Sequence, residues 1–339
     1  MRAARAEGGA VVVVEADTTE PGRDEVVVRI HTCGVCHSDL HLVKQDWSFA
    51  PPSGPIGHEA IGVVERLGPG AERFVAVGDR VILGLGGAGG GFWCGSCEFC
   101  VDGHPRLCTQ AKQVLGAMAE TYTIWAPALV VLPEAVDDLE APLACGGLTA
   151  YSAVRKLTTH DIGPGSVVAV LGAAGGLGHY AVQLAAAFGH RVLAVDVGAD
   201  RLAFARELGA EWAVEPGDAA ATAAEVGGAH ASLVFAASIA GYRLGFELLR
   251  KRGLFIGVGL PATDQGAFSV GPFELFSKDP TIVFSAVGTV QEMRELVDLA
   301  ARGVVRSHIG RTGSLDEAGV VFDELAAGAY LGRAVIDLR

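Results

Sequence analysis

Four cysteines lie close together near the end of the first third of the chain, at Cys94, Cys97, Cys100 and Cys108. Two residues separate each of the first three cysteines from the next, and seven residues separate Cys100 from Cys108. Zinc is held tetrahedrally by four such thiolates, which short turns can bring together. An iron–sulfur cluster is the main alternative, but ferredoxin spacing has a shorter last gap and a proline where this chain has Thr109. The spacing therefore predicts a closed structural zinc site, with four metal-free thiols as the other alternative.

Further metal-ligating side chains are dispersed over three segments. Cys36–His41 contains a cysteine, two histidines, a serine and an aspartate, Gly57–Glu59 adds a histidine and a glutamate, and Cys145 precedes two glycines. Singly, each is weak evidence, because an isolated cysteine is most often a small buried hydrophobic residue. Cys33 and Cys36 also match the redox C-x-x-C pattern. Spacing alone leaves the role of these residues open.

A glycine-rich turn, Gly172–Gly178, lies between the apolar run Val167–Leu171 and a helical pattern. Glycines there let the backbone approach a pyrophosphate, which the helix N-terminus attracts. The turn departs from G-x-G-x-x-G because Ala173 holds the first glycine position. Asp196 ends the next predicted strand, where a carboxylate accepts ribose hydroxyls and repels a 2′-phosphate. The pattern predicts NAD rather than NADP, with Arg201 near the same ribose.

Composition and charge limit the classes of protein that fit. A length of 339 residues exceeds what one hydrophobic core usually serves, and 19% charged residues indicate a packed globular protein. The net charge of −13 argues against nucleic-acid and membrane partners. The N-terminus lacks the pattern of a signal peptide, and seven cysteines with tight local spacing favour metal ligands over disulfides. We expect a cytoplasmic protein.

The elements that must position these residues fall into two patterns. The first half reads as short strands rich in Val and Ile, followed by a long glycine-rich loop at 84–91. After about Thr149, strands and helices alternate, which predicts an α/β fold with a parallel, doubly wound sheet. A helix and a terminal strand close the chain. We predict a catalytic domain over 1–147, a nucleotide-binding domain over 148–286 and a segment over 287–339 that returns to the first.

The motifs together resemble one known family. Six of them occur in its order and with similar separations: Gly34–His41, Gly57–Glu59, Gly78–Val81, the four-cysteine lobe at about 92–110, Cys145–Tyr151 and Gly172–Gly178. The whole chain is similar to the zinc-dependent alcohol dehydrogenases of the medium-chain dehydrogenase/reductase superfamily, particularly the compact microbial branch that includes the yeast enzymes. The resemblance implies a GroES-like catalytic domain and a Rossmann domain.

The resemblance also implies a catalytic site. Cys36, His58 and Cys145 would hold a second, catalytic zinc with an open position, where the metal makes an alcohol hydroxyl more acidic. Ser38 would hydrogen-bond that hydroxyl, with capping of the following helix as an alternative role. His41 would accept the proton through the nicotinamide ribose. Asp39 and Glu59 would orient the ligands and balance the charge of the metal. Direct ligation of the zinc by Glu59 is an alternative. Cys33 then becomes an ordinary buried residue.

The cofactor contacts follow from the same resemblance. His37 and Arg333 would contact the pyrophosphate, and Thr149 and Val258 would pack on the nicotinamide, with sheet core as an alternative role for Val258. The turn would cradle the phosphates through the backbone of Gly172, Gly175, Gly176, Leu177 and Gly178.

The predicted function is reversible oxidation of a primary or secondary alcohol to an aldehyde or ketone, with hydride transfer to NAD and two zinc ions per chain. The substrate would be a small alcohol or carbonyl compound, and Trp47, Phe92 and Trp93 would form an apolar pocket or pack in the core. A polyol or amino-alcohol dehydrogenase and a non-catalytic nucleotide-binding zinc protein are the alternatives. By analogy with the family, we expect a homo-oligomer, tetrameric or dimeric.

Overall fold

A computed structural model describes residues 1–83 and 87–339. The chain forms two compact units. The first unit comprises Met1–Leu148 together with Val287–Arg339, and the second comprises Thr149–Ala286. The chain thus leaves the first unit once and returns to it.

The N-terminal part of the first unit is built mainly of strands. They are β1 (Arg2–Glu7), β2 (Ala10–Glu15), β3 (Glu25–Val35), β4 (Ser53–Pro55), β5 (Ala60–Leu67), β6 (Arg80–Leu83), β7 (Gly87–Phe92), β8 (Lys112–Val114), β9 (Thr121–Trp125) and β10 (Leu129–Val131). The helices in this part are α1 (His37–Lys44) and α2 (Glu98–Val101), and a 3₁₀ segment covers Asp138–Ala144.

The second unit alternates strands and helices. Its helices are α3 (Gly146–Thr159, which begins in the first unit), α4 (Gly178–Ala187), α5 (Ala199–Glu207), α6 (Pro216–Glu225), α7 (Ile239–Glu247) and α8 (Pro272–Lys278). Its strands are β11 (Val167–Leu171), β12 (Arg191–Val195), β13 (Trp212–Val214), β14 (Ala229–Val234), β15 (Leu249–Gly257) and β16 (Thr281–Phe284).

The strands of the second unit pair in parallel in the order β13-β12-β11-β14-β15-β16. Counted from β11, this is the 3-2-1-4-5-6 order of a doubly wound nucleotide-binding sheet. All five residues of β11 are buried, as expected for a central strand covered on both faces. The predicted parallel α/β fold is confirmed.

The main sheet of the first unit is centred on β3, which pairs with β5, β9 and a C-terminal strand. β3 is rich in valine and mostly buried, and Val28 and Ile30 belong to the core of this unit. Each such side chain stabilises the fold by about 1.5–3 kcal/mol relative to an exposed one. The strand ends at Val35, so the core of this sheet fixes the position of Cys36.

The C-terminal part of the first unit consists of α9 (Val290–Ala301), β17 (Ile309–Ser314), α10 (Ala318–Ala326) and β18 (Arg333–Asp337). β18 lies antiparallel to β3, with Ala334 opposite Val35, and parallel to β17. This register brings Arg333 next to the end of β3, where Cys36 begins α1.

The expectation of a long glycine-rich loop at 84–91 is wrong for its second part. Gly87–Phe92 forms β7, an antiparallel partner of β8. Residues 84–86 lie outside the described residues. Glycine lowers the propensity for strands, and cross-strand pairing overrides that propensity here.

Among residues 1–83 and 87–339, none of the helices has both the length and the apolar character needed to cross a lipid bilayer.

Candidate metal centres and nucleotide-binding turn

Four buried side chains meet at the end of β3. Cys36, His58, Glu59 and Cys145 each place a ligand atom within 4.8 Å of the others. Cys36 is the N-cap of α1, the His58–Glu59 pair precedes β5, and Cys145 ends the 3₁₀ segment. Two thiols and an imidazole in one buried cluster fit the ligand set of a catalytic zinc.

Asp39 orients the imidazole of His58. Its Oδ1 lies 3.2 Å from His58 Nδ1 and accepts a hydrogen bond from the Gly57 N–H at 2.9 Å. Nε2 of His58 is buried and, in the described part of the chain, has no hydrogen-bond partner. An imidazole held at one nitrogen with the other left over is the arrangement of a metal ligand.

Gly57 allows the segment that carries His58 to pass close to the backbone of Met118. Its φ of +93° is strained for other residues, and a Cβ atom would lie 2.4 Å from the backbone nitrogen of Met118. Because Gly57 directly precedes His58, the glycine fixes the direction from which the imidazole enters the cluster.

Glu59 has partners on the opposite side of the cluster. It forms a buried ion pair with Arg333, and its Oε1 accepts a hydrogen bond from the Gly146 N–H at 3.1 Å. Burial raises the pKa of Glu59 to about 7, although Arg333 opposes this shift. The pair joins β18 to the cluster. The pyrophosphate contact of Arg333 stays a prediction.

The electrostatics of the cluster favour one thiolate. The hydrogen bond with Cys145 lowers the pKa of Cys36 well below its ordinary value, and the same contact raises that of Cys145. Although burial opposes a charged imidazole, Asp39 raises the pKa of His58. The positive charges of Arg333 and His58 also stabilise the Cys36 thiolate, which is the form that binds a metal.

The four-cysteine lobe forms a separate cluster. Cys94, Cys97, Cys100 and Cys108 each place a sulfur within 4.8 Å of the others. Backbone N–H groups of Cys94 and Cys97 donate to Cys108 Sγ and Cys94 Sγ, both at 3.3 Å. The backbone N–H of Ser96 is the main cause that lowers the pKa of Cys94 to about 6. Four thiols that converge in this way fit a structural zinc.

Ser38 and His41 lie on α1, and the helix begins at the N-cap Cys36. The alternative role of Ser38 as helix cap therefore does not hold. Ser38 is half-buried and His37 is exposed. His41 Nδ1 lies 2.8 Å from Asp46 Oδ2, and its ring centroid is 4.7 Å from that of Trp47.

The three aromatic residues predicted to form a substrate pocket or to pack in the core lie in two separate groups of rings. Phe92 and Trp93 both contact Trp125, at centroid distances of 4.9 and 4.8 Å, and Trp93 packs against the core of the first unit. Trp47 instead lies between His41 and Phe49, whose ring is 5.4 Å away. Packing accounts for Trp93, and Trp47 remains the candidate for contact with a substrate.

The glycine-rich turn joins β11 to α4. A Cβ atom on Gly178 would lie 2.0 Å from the carbonyl oxygen of Gly172, which itself has a φ of +75°. The close approach leaves the N-terminus of α4 open to an anion. Asp196 Oδ2 accepts a hydrogen bond from the Ala174 N–H at 2.7 Å, so the carboxylate also supports the turn.

The other residues of the second unit that are predicted to contact the cofactor differ in their burial. Thr149 and Val258 are buried, and Arg201 is half-buried. The N–H of Val258 donates to the carbonyl of Val234 at 3.0 Å, so its backbone prolongs the pairing of β14 and β15. Contacts of these side chains with a cofactor stay predictions.

Two residues near the site were missed from the sequence. Val287 is buried against Cys36 and Cys145 with a φ of +44°, an outlier for a β-branched residue. Asp46 contacts His41. The strained backbone of Val287 cannot be recognised from the sequence. Asp46 could have been noticed, because an aspartate that directly follows the helix carrying His41 can reach its imidazole.

Two family models match the sequence of this chain. The chain matches the family model of the alcohol dehydrogenase GroES-like domain over residues 22–134 and that of the zinc-binding dehydrogenases over residues 176–302. These two matches define its class, that of the zinc-binding dehydrogenases. An alcohol dehydrogenase of Moraxella sp. is 37% identical over 97% of this chain and 96% of its own length.

Solved structures agree. The alcohol dehydrogenase of the archaeon Aeropyrum pernix superposes with a TM-score of 0.89 at 32% identity, covering 99% of this chain and 100% of its own. An NAD-dependent alcohol dehydrogenase superposes with a TM-score of 0.86 at 26% identity, with 99% of each chain covered. The chain belongs to the zinc-dependent alcohol dehydrogenase family. The predicted family, with its GroES-like and Rossmann folds, is confirmed.

Proposed function

We propose that this chain oxidises primary or secondary alcohols reversibly to aldehydes or ketones with NAD, using a zinc ion held by Cys36, His58 and Cys145. The observation that carries the proposal is the buried cluster of two thiols and one imidazole. Zinc, when bound, acts there as a Lewis acid that makes a hydroxyl group more acidic. A second zinc in the four-cysteine lobe maintains its fold.

The carboxylates of the cluster prepare it for a metal. Asp39 holds Nδ1 of His58 and so directs Nε2 toward the thiols. Glu59 lies beside the ligands and is held by its pair with Arg333, without needing to be a ligand itself. Partners of this kind typically change metal affinity or activity about tenfold to a hundredfold.

The proton of the alcohol leaves along α1. Ser38, half-buried on the first turn, hydrogen-bonds the substrate hydroxyl, and His41, one turn later, receives the proton through the nicotinamide ribose. An imidazole titrates near working pH and suits this role.

NAD binds at the carboxyl ends of the strands of the second unit, where it accepts the hydride. Its pyrophosphate lies on the turn formed by Gly172, Gly175, Gly176, Leu177 and Gly178. Asp196 and Arg201 contact the adenosine ribose, Thr149 and Val258 the nicotinamide, and His37 and Arg333 the phosphates. The first unit is thereby the catalytic domain and the second the NAD-binding domain.

The protein assembles as a homo-oligomer through the second unit. In the described sheet order β16 is the last strand, and its Phe284 is 61% exposed. Phe273 and Phe276 of α8 are 92% and 89% exposed. An open sheet edge with exposed aromatic rings favours pairing with another copy. A monomeric mass measured by light scattering would overturn the proposed homo-oligomer.

A substrate panel tests the activity. Purified zinc-loaded protein is mixed with NAD and a series of alkyl and aromatic alcohols, polyols and amino alcohols, and the NADH absorbance band is followed. We expect the highest kcat/KM with a simple alcohol. A preference for a polyol or amino alcohol would place the chain elsewhere in its superfamily, and no turnover with any of them would contradict catalysis.

A further inference from the structure

The end of α1 turns back on itself beside His41. Gln45 adopts a left-handed conformation, with φ of +57°, and reverses the chain. The N–H of Asp46 then donates to the carbonyl of His41 at 3.0 Å. This is the hydrogen-bond pattern that closes many helices, and it brings the Asp46 side chain to the same face as the imidazole.

Asp46 and Trp47 hold the imidazole of His41. The carboxylate Oδ2 lies 2.8 Å from Nδ1, and the Trp47 ring packs on the imidazole with a centroid distance of 4.7 Å. The side chain of His41 is 13% exposed and that of Asp46 is 35% exposed. The imidazole is therefore oriented by both neighbours, while the carboxylate still reaches solvent.

The hydrogen bond between Asp46 and His41 determines which nitrogen of His41 can accept a proton. An ionised carboxylate only accepts hydrogen bonds, so Nδ1 must carry the hydrogen. A neutral imidazole protonated at Nδ1 has its lone pair on Nε2. We propose that Asp46 is a positioning residue that fixes His41 as the Nδ1–H tautomer and so makes Nε2 the proton acceptor. This inference rests on the proposed function, in which His41 receives the substrate proton.

The proton balance is simple. The proton of the alcohol hydroxyl arrives at Nε2, and the resulting imidazolium keeps its Nδ1–H hydrogen bond to Asp46. The proton then leaves from Nε2 to water, which restores the neutral ring. Asp46 takes no part in the proton transfer, so it acts on the orientation of the base and on the charge of the imidazolium.

Kinetics with NAD and a good alcohol substrate test the catalytic part. Asp46→Asn should lower kcat roughly tenfold with little change in the KM for the alcohol, as expected for weakened general-base catalysis. Asp46→Glu should restore part of the rate. Asp46→Asn in a His41→Gln enzyme should cause no further loss, because the base that it orients is already gone.

The matched control is Asp323→Asn. Asp323, on α10, is an exposed carboxylate that pairs with Lys44 of α1 at 3.8 Å, and its removal should leave kcat unchanged. An equal further loss from Asp46→Asn in the His41→Gln enzyme would mean that Asp46 only stabilises the helix end, which would overturn the proposal.

Nitrogen NMR of the zinc-loaded protein tests the tautomer without reference to turnover. The His41 signals, identified by their absence in His41→Gln, should report a hydrogen on Nδ1, and Asp46→Asn should shift the population toward Nε2–H. A hydrogen on Nε2 in the unaltered protein would overturn the role of Asp46 alone. An unchanged rate in His41→Gln would instead overturn His41 as proton acceptor, and with it the catalytic purpose of Asp46.

Discussion

Three buried side chains of the proposed catalytic zinc site depend on their neighbours for their charge. The contact with Cys145 and the charges of His58 and Arg333 lower the pKa of Cys36, whereas the contact with Cys36 and burial raise the pKa of Cys145. Cys36, His58 and Cys145 would hold zinc as deprotonated thiols and a neutral imidazole, and their ligand atoms already lie within 4.8 Å of one another.

We predict that the carboxylate of Asp196 determines the choice between NAD and NADP. Asp196→Ala removes the charge that repels a 2′-phosphate, and we expect the preference for NAD over NADP to shrink by about 1–3 kcal/mol, or roughly tenfold to a hundredfold in kcat/KM. The measurement is kcat/KM for both cofactors at one alcohol concentration.

The control for this experiment is Asp200→Ala, on the first turn of α5, which should retain the preference. Part of any loss with NAD would come from the turn, because Asp196 also accepts the Ala174 N–H. Equal kcat/KM for NAD and NADP in the unaltered enzyme would contradict the role assigned to Asp196.

Asp138 joins several elements of the first unit. Its carboxylate contacts His31 of β3 and Arg80 of β6, both at 2.8 Å, and Arg339 at 3.9 Å. Although burial opposes ionisation, hydrogen bonds from Arg80 and His31 lower the pKa of Asp138 below its ordinary value of 3.8. A carboxyl group with a lowered folded-state pKa stabilises the fold above its unfolded-state pKa and loses this effect as the pH falls through the folded-state value.

Asp138→Asn should therefore lower the free energy of unfolding by about 1.5–3 kcal/mol at neutral pH, the usual range for hydrogen bonds to a charged group. The difference in melting temperature from the unaltered protein should persist in mild acid and shrink below pH 3.8, where the unfolded chain binds its proton. Glu20→Gln, which breaks the exposed pair with Arg66, is the control and should change little. A difference that grows on acidification would contradict the assignment.

Prediction from sequence succeeded where local patterns govern the element. The strands of the second unit are continuous apolar runs separated by helical patterns, and their parallel arrangement follows. Pairing between distant segments has no local signal: Gly87–Phe92 reads as a loop but forms a strand, and β17 has Ile309 as its single large apolar residue. Motif order predicted the residues that meet in the buried cluster, whereas Asp46 and Val287 are defined by a chain reversal and a strained backbone.

At the scale of the whole molecule, the two metal clusters lie in the same unit but have different surroundings. The set of Cys36, His58 and Cys145 is buried and has mixed ligands, while the cysteines of the lobe are mostly half-buried and of one type. The first suits chemistry on a substrate and the second suits stabilisation of a small lobe. Each metal should therefore be separable from the other by substitution.

Turnover should depend on the zinc of the buried cluster. The most direct measurement is the zinc content and the alcohol-dependent NADH formation of Cys145→Ser and Cys97→Ser, beside the unaltered protein and Cys33→Ala as a control for loss of a buried thiol. We expect two zinc ions per chain in the unaltered protein and the control. Cys145→Ser should retain the fold and the lobe zinc but lose turnover, whereas Cys97→Ser should mainly lower the melting temperature. Full turnover in Cys145→Ser would mean that the buried cluster is not the catalytic zinc site, and one zinc or none in the unaltered protein would mean that at least one of the two ligand sets holds no metal.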